Sequence, residues 1–249
     1  MQSNLQLDVK RFDPEAFSPS PNSSKEPSGL HVALIMDGNG RWATQRKMPR
    51  LYGHKMGVEA VRKVIEKAPS LKIGMLTLYA FSSDNWARPQ EETDHLFSLL
   101  ERYLKAEIDT FIRQGIRLVF IGRRDRIPQK LRRQIELAEH RSRQGKKLVV
   151  RIALDYSARH QILTALAAQP HATEESLSRA LSGIDQAWPV DLLIRTSGEQ
   201  RLSDFLLWEC AYAEFLFSPI HWPDFDGQAL ADAIETFTHR DRRFGAIKP

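Results

Sequence analysis

Six times along this 249-residue chain a short, almost wholly apolar run stops abruptly, and between these runs the apolar residues switch to helical spacing. The runs fall at 32–36, 73–81, 116–122, 147–154, 190–196 and 214–218. Strands this short and this uniformly apolar are buried on both faces, which is the condition of a parallel sheet covered by helices. The intervening periodicity predicts helices over 53–71, ending near Pro69, then over 93–112, 128–144, 159–168, 173–182 and 226–239. The clearest is 93–112, where Leu96, Leu99, Leu100, Tyr103, Leu104, Ile108 and Phe111 share one face. The pattern predicts an α/β fold: one domain over 30–249 with a mostly parallel six-stranded sheet flanked by helices on both faces. Residues 1–29, rich in Pro and Ser with few large apolar side chains, read as a flexible leader.

In sheets of this kind ligands bind beyond the carboxyl ends of the strands. Three strand ends carry suitable chemistry. The first run breaks into Asp37, Gly38, Asn39, Gly40 and Arg41. A carboxylate can hold a hard cation, glycines let backbone N–H groups approach a phosphate, and arginine adds a two-pronged donor. Alone, the same residues also read as an ordinary Asp-Gly, Asn-Gly turn. The second run ends in Ser82, Ser83, Asp84 and Asn85, followed by Trp86 and Arg88. After the fifth run come Arg195, Arg201 and Ser203, with Gly198 permitting a turn between the arginines. These can bind a diphosphate through charge-assisted hydrogen bonds, or serve as surface ion-pair partners of Glu199 and Asp204.

Lys plus Arg exceed Asp plus Glu by only 36 − 31 = 5, and the excess is dispersed. Small anionic ligands fit that better than nucleic acid, for which no platform of aromatic and basic residues is present. The single cysteine, Cys210, lies in an apolar segment and reads as a packing residue in a reducing compartment. With no run approaching the ~18 to 20 apolar residues of a membrane span and no secretion-signal pattern, the expected location is cytoplasmic.

The order and wording of the segments carry a family resemblance. HVALIMDGNGRWA, then Arg50 with Gly53, His54 and Gly57, then TLYAFSSDNWARP, then DLLIRTSGEQRLSDFLLWECAYAEFLF, WPDF and DRRFG resemble the cis-prenyltransferases, above all the bacterial ones that make undecaprenyl diphosphate. The paired-aspartate DDxxD pattern of the all-helical trans-type synthases is missing. The resemblance implies condensation of isopentenyl diphosphate onto an allylic diphosphate, usually farnesyl diphosphate, with each new double bond cis and Mg²⁺ as cofactor. It implies undecaprenyl diphosphate as the product, for the cell-wall lipid carrier, and an apolar tunnel to hold it. The face of helix 93–112 beside strand 73–81 is the expected wall of that tunnel. It also implies a homodimer in which the 242–245 segment closes the neighbouring subunit's site, and peripheral membrane contact for product release.

Carried across by motif, Asp37 is the catalytic metal ligand and Glu214 a second acidic metal ligand. Gly38, Asn39, Gly40, Arg41 and Trp42, with Arg50 and His54, match the allylic diphosphate site. Ser82, Ser83, Asp84, Trp86 and Arg88 match the second substrate segment. Asn85 matches the residue assigned to proton removal, and Arg195, Arg201 and Ser203 the isopentenyl diphosphate site. An amide is a poor base, so Asn85 is expected to orient a proton path rather than hold the proton. Three places depart from the family pattern. Asp84 stands where glutamate is common, Asp204 where asparagine is common, and Asp155-Tyr156-Ser157-Ala158-Arg159 where Asn-Tyr-Gly-Gly-Arg is usual. The last change, at a strand end near the expected site, bears on product length and on the choice of allylic substrate. The rival readings are a short-chain or irregular cis-prenyl diphosphate synthase and a non-catalytic prenyltransferase-like subunit.

Overall fold

A computed structural model describes residues 28–240. Nearly all of the expected leader, and the 242–245 segment, lie outside the described residues. Six strands, β1 (Leu30–Ile35), β2 (Ile73–Ser82), β3 (Ile116–Ile121), β4 (Leu148–Tyr156), β5 (Leu192–Arg195) and β6 (Glu214–Phe217), form one sheet in the order β3-β4-β2-β1-β5-β6. Every pairing among them is parallel. The helices are α1 (Asn39–Gln45), α2 (Arg50–Lys67), α3 (Gln90–Gln114), α4 (Gln129–Ser142), α5 (Ala158–Ala168), α6 (Glu174–Ser182) and α7 (Gly227–Thr238).

The alternation of side chains along a strand explains why the runs are apolar throughout. Val32 and Leu34 face one hydrophobic core with Val64 and Ile65 of α2, Leu104 and Phe111 of α3, Ile135 of α4 and Ile234 of α7. Ala33 and Ile35 face the other, with Ile184, Trp188, Phe205, Leu206 and Cys210. Cys210 is buried as expected, and that burial pushes its thiol pKa up to about 12.

Prolines 49, 89 and 128 start α2, α3 and α4, their ring-fixed φ and extended ψ turning the chain into each first turn. The side chains of Ser157, Thr173 and Asp226 instead cap α5, α6 and α7 by accepting backbone N–H groups.

Two differences from the sequence reading matter for the site. Residues 39–45, read as a loop, are helical, so the polar cluster after β1 is a turn running directly into α1. Helix α2 begins at Arg50, three residues before its expected start, which puts Arg50 and His54 one turn apart on the same face. No helix among the described residues is long and apolar enough to cross a membrane.

Candidate active site

Because β1 pairs with β5 in register Ile35↔Arg195, the residues that follow β1 are delivered beside that arginine. Asp37 Oδ2 accepts from Arg195 Nη2 at 2.9 Å, while Oδ1 accepts from the Gly38 N–H at 2.7 Å and from Arg41 Nη2 at 3.3 Å. The Thr196 hydroxyl pins the backbone here, accepting from Asp37 N at 2.9 Å and donating to Asp37 O at 2.7 Å. Gly38 has φ 101, and a Cβ there would lie 2.6 Å from Ser197 Oγ and 2.7 Å from His221 Nδ1, so the turn demands glycine. Burial opposes ionisation of Asp37, but the hydrogen bond and charge of Arg195, with Arg41 and the Gly38 N–H, outweigh it and hold the carboxyl below its usual range. Arg195 is buried, and its Nη1 donates to Ser203 Oγ at 2.9 Å and to the Arg201 carbonyl.

On the opposite side of the mouth, Glu92 in the first turn of α3 gathers three cationic or imidazole groups. Its carboxylate accepts from Arg88 Nη1 at 3.1 Å and meets His54 Nε2 at 3.3 Å, with Arg50 Nε at 3.8 Å. Burial of His54, with help from Arg88 and Arg50, prevails over the pull of Glu92 and lowers the imidazole pKa, favouring the neutral ring. Asn85 lies in a 3-10 turn (Ser83–Ala87) after β2 and exchanges hydrogen bonds with Ser82: its Oδ1 accepts the Ser82 N–H at 3.2 Å, and the Ser82 side chain accepts the Asn85 N–H. That bond leaves the second lone pair of the Asn85 oxygen and both amide N–H groups available to a ligand.

Between these two walls lies a cavity of about 480 Å³. Asp37, Arg41, Arg50, Arg88 and Arg195 stand at its polar end; Val58 and Val61 of α2, Leu96, Leu99, Leu100 and Tyr103 of α3, Leu78 and Phe81 of β2, and Ile152 and Leu154 of β4 form the apolar remainder. The apolar face of α3 therefore packs on the sheet and lines the cavity at once.

Most of the expected site residues reach this space. Gly38, Asn39, Gly40, His54, Ser82, Asp84, Asn85 and Ser203 line it together with the charged residues above. Five do not. Trp42 is buried behind α1, where its Nε1 donates to Asp224 Oδ1 at 2.7 Å. Ser83 turns away to Asp155, and Trp86 packs between Phe81 and Phe97 at centroid distances of 5.3 and 5.4 Å. Arg201 is exposed and paired with Glu199, which also binds Arg41 at 3.0 Å, so the ion-pair reading of this loop describes Arg201 but not Arg195, which is buried against Asp37.

Glu214, expected as a second acidic metal ligand, is the fifth, and within the chain it stands apart from Asp37. The register Val32↔Leu192↔Glu214 puts it at the amino end of the sheet, five residues or ~16 Å of strand from Asp37, and it pairs there with Arg240 Nη1 at 2.8 Å.

The sequence reading gave no site role to Glu92, Glu199, Trp222 or Tyr79. The signal for Glu92 was its place four residues after Arg88; Trp222 lay in the WPDF segment already noted. Nor does Asp155 form part of the cavity wall: it is wholly buried, and its neighbours Leu154 and Ile152 line the cavity instead. The glycines missing from this segment are not needed, since Ser157 is extended at φ −144 and caps α5, and its hydroxyl donates to Asp204 Oδ2 at 2.5 Å. Two departures from the family pattern thus satisfy each other.

A mouth of guanidinium groups and carboxylates, opening on an apolar cavity, suits amphiphilic anions with a phosphate head and a hydrocarbon tail. The comparisons with known proteins sharpen that class. Residues 35–245 match the family model described as "Putative undecaprenyl diphosphate synthase". The chain is 51% identical over 222 residues to isoprenyl transferase 1 of Bradyrhizobium diazoefficiens, covering 88% of this chain and 90% of that one. It is 45% identical over 221 residues to isoprenyl transferase of Aquifex pyrophilus, covering 87% and 96%. Among solved structures, lavandulyl diphosphate synthase from Lavandula x intermedia in complex with dimethylallyl diphosphate superposes with a TM-score of 0.83 at 33% identity, covering 87% of this chain and 98% of that one. A "probable undecaprenyl diphosphate synthase" from Campylobacter jejuni gives 0.74 at 34% identity, covering 88% and 99%. The chain belongs to the cis-prenyltransferase family of undecaprenyl diphosphate synthases and isoprenyl transferases, and it is a prenyltransferase.

Proposed function

We propose that this chain extends farnesyl diphosphate by successive cis additions of isopentenyl diphosphate, and that its product is undecaprenyl diphosphate. The observation that carries the reading is one continuous cavity with diphosphate chemistry at its mouth and an apolar wall from α2, α3, β2 and β4 behind it. In this reading Arg41, Arg50 and the Gly38–Gly40 backbone receive the allylic diphosphate, and its hydrocarbon chain lies along Val58, Val61 and Leu100. Arg195, Ser203 and, after release from Glu199, Arg201 receive the isopentenyl diphosphate.

The donor set suits Mg²⁺. Among the described residues no three His, Cys, Asp or Glu side chains converge, and Asp37 offers a partly exposed carboxylate at the cavity mouth. Mg²⁺ takes one or two carboxylates and completes its shell with phosphate oxygens and water, so Asp37 would hold it. Bound there, the ion supplies positive charge where negative charge develops on the departing diphosphate. The arginines at the mouth do the same work from fixed positions, and the apolar wall keeps water from the allylic cation. Asn85, whose amide is a poor base, orients the proton path toward diphosphate or water rather than holding the proton.

The chain is further read as a homodimer working in the cytoplasm, with peripheral membrane contact when product leaves. A second reading, a short-chain product from a dimethylallyl primer, is favoured by the likeness to lavandulyl diphosphate synthase with dimethylallyl diphosphate and by a cavity no larger than a drug-sized pocket. Incubation with farnesyl or dimethylallyl diphosphate, radiolabelled isopentenyl diphosphate and Mg²⁺, with chromatography of the dephosphorylated products, tests both. A ladder ending near C55 supports the first reading and a stop at C15 to C20 the second. No incorporation with either primer would sink both.

A further inference from the structure

Asp155, at the end of β4 where the sequence departs furthest from the family pattern, touches the second substrate segment without lining the cavity. Asp155 is fully buried with φ 48, a left-handed conformation that Asp and Asn tolerate better than most L residues. Its carboxylate takes a two-pronged guanidinium, Arg126 Nε to Oδ2 at 2.9 Å and Nη2 to Oδ1 at 2.5 Å, and a hydroxyl, Ser83 Oγ to Oδ1 at 3.1 Å. Its carbonyl accepts from Arg123 N at 3.1 Å, fastening the loop after β3 to the end of β4. The Arg126 guanidinium also lies over the Trp86 ring, with Cζ 5.4 Å from the centroid. One ion pair therefore grips both Ser83 and Trp86 of the 3-10 turn, and Asp84 and Asn85, which do line the cavity, lie between them. The amide of the usual asparagine cannot match this: it has one acceptor oxygen, whereas a carboxylate receives both prongs of arginine.

We propose that the Asp155–Arg126 pair is a positioning element for prenyl transfer in this chain, holding the turn Ser83–Ala87 against the sheet so that Asn85 stays aimed into the cavity. Neither residue touches substrate; both act through the turn. The inference rests on the prenyl-transfer reading for its kinetic consequence, but not for its structural one.

The test compares the wild type with Asp155→Ala, Arg126→Ala, the double variant, Asp155→Asn and, as a control in the same loop, Arg123→Ala. Amide hydrogen exchange is measured on the unliganded proteins, and steady-state kinetics with farnesyl and isopentenyl diphosphates and Mg²⁺. Each single alanine variant is expected to speed exchange over 82–88 and to lower kcat by roughly tenfold or more, since small misplacements of a reacting geometry are expensive. The KM of both diphosphates should stay within about threefold, the signature of a group acting after binding. The double variant should be no worse than the poorer single, Asp155→Asn should recover part of kcat, and Arg123→Ala should change neither readout. If the alanine variants do not fold, Asp155→Asn and Arg126→Lys carry the comparison on the same criteria. Unchanged exchange over 82–88, losses that appear in KM, or effects that simply add in the double variant would overturn the proposal. A wild type without turnover would remove the prenyl-transfer reading, and the exchange data alone would then decide the brace.

Discussion

Lowering the pH from 8 to 5 should destabilise this protein through a histidine that takes no part in the site. His31 is wholly buried on β1, with Nε2 2.8 Å from Thr77 Oγ1 and Nδ1 2.9 Å from the Trp188 carbonyl. Burial, and then the charge of Arg151, depress its pKa from 6.5 to about 3, while the two backbone carbonyls oppose the shift only weakly. The native state therefore refuses a proton that the unfolded chain binds below pH 6.5. The stability this contributes is complete above that value and is lost as pH falls toward the native pKa. At pH 5 the loss from this one group is RT ln(1 + 10^1.5), about 2 kcal/mol, or ~4 to 8 °C in Tm for a chain of this size. The lowered pKa of His54 acts in the same direction, whereas that of Asp37 matters only once pH falls into the carboxylate range. His31→Gln isolates the effect, because it cannot titrate and leaves His54 in place. Urea unfolding of both proteins at fixed protein concentration, from pH 8 to 5, should give a wild-type curve that falls by about 2 kcal/mol more than the variant's. Parallel curves would refute the assignment.

Three further outcomes concern the site. Asp37→Asn keeps the shape beside Arg195 but removes its counter-charge, and kcat should fall by about 10² to 10³-fold with far-UV circular dichroism unchanged; near-normal turnover would dismiss Asp37 from catalysis. In Gly57→Ala the new Cβ would lie 2.4 Å from Asn39 Oδ1 and 3.0 Å from the Trp222 ring. Displacing Asn39 should raise the KM for the allylic diphosphate by about tenfold and that for isopentenyl diphosphate much less, an inequality that steady-state kinetics will show or deny. Tyr103 is the cavity-lining residue farthest along α3, and its buried hydroxyl has no hydrogen-bond partner among the described residues. Tyr103→Ala should shift the product ladder to longer chains on chromatography; an unmoved ladder would put the floor of the cavity elsewhere.

Five of the strands were legible because a doubly buried strand has no polar face to confuse the period, and Val32 to Ile35 are all buried as their apolar run required; β6, at the sheet edge, departs from that expectation, with Phe215 and Phe217 exposed. Helix α1 was not legible. Its seven residues, with two at Asn39 and Gly40 that disfavour helix, are held by packing of Trp42 and Ala43 rather than by propensity. Polar groups at the ends of strands were readable because parallel topology brings such ends together, whichever strand they follow. What could not be read was which acid meets which base. Glu92 binds three residues from two other segments, and Glu214, though carried by a motif, stands at the other end of the sheet. The fate of Asp155 was equally hidden, since its partner Arg126 comes from a loop 29 positions away.

At rest, the mouth of this cavity is its own counter-ion: Asp37 occupies Arg195, and Glu199 is shared between Arg41 and Arg201. A dianion that draws Arg195 toward itself takes the strongest partner from Asp37, and a cation that draws Asp37 away takes the only carboxylate paired with Arg195 among the described residues. Either alone breaks a charge pair that the two together would exchange for new ones. Under the proposed function, a diphosphate at Arg195 and a divalent cation at Asp37 would be linked by the same two side chains, and saturating either should tighten the other by the same factor.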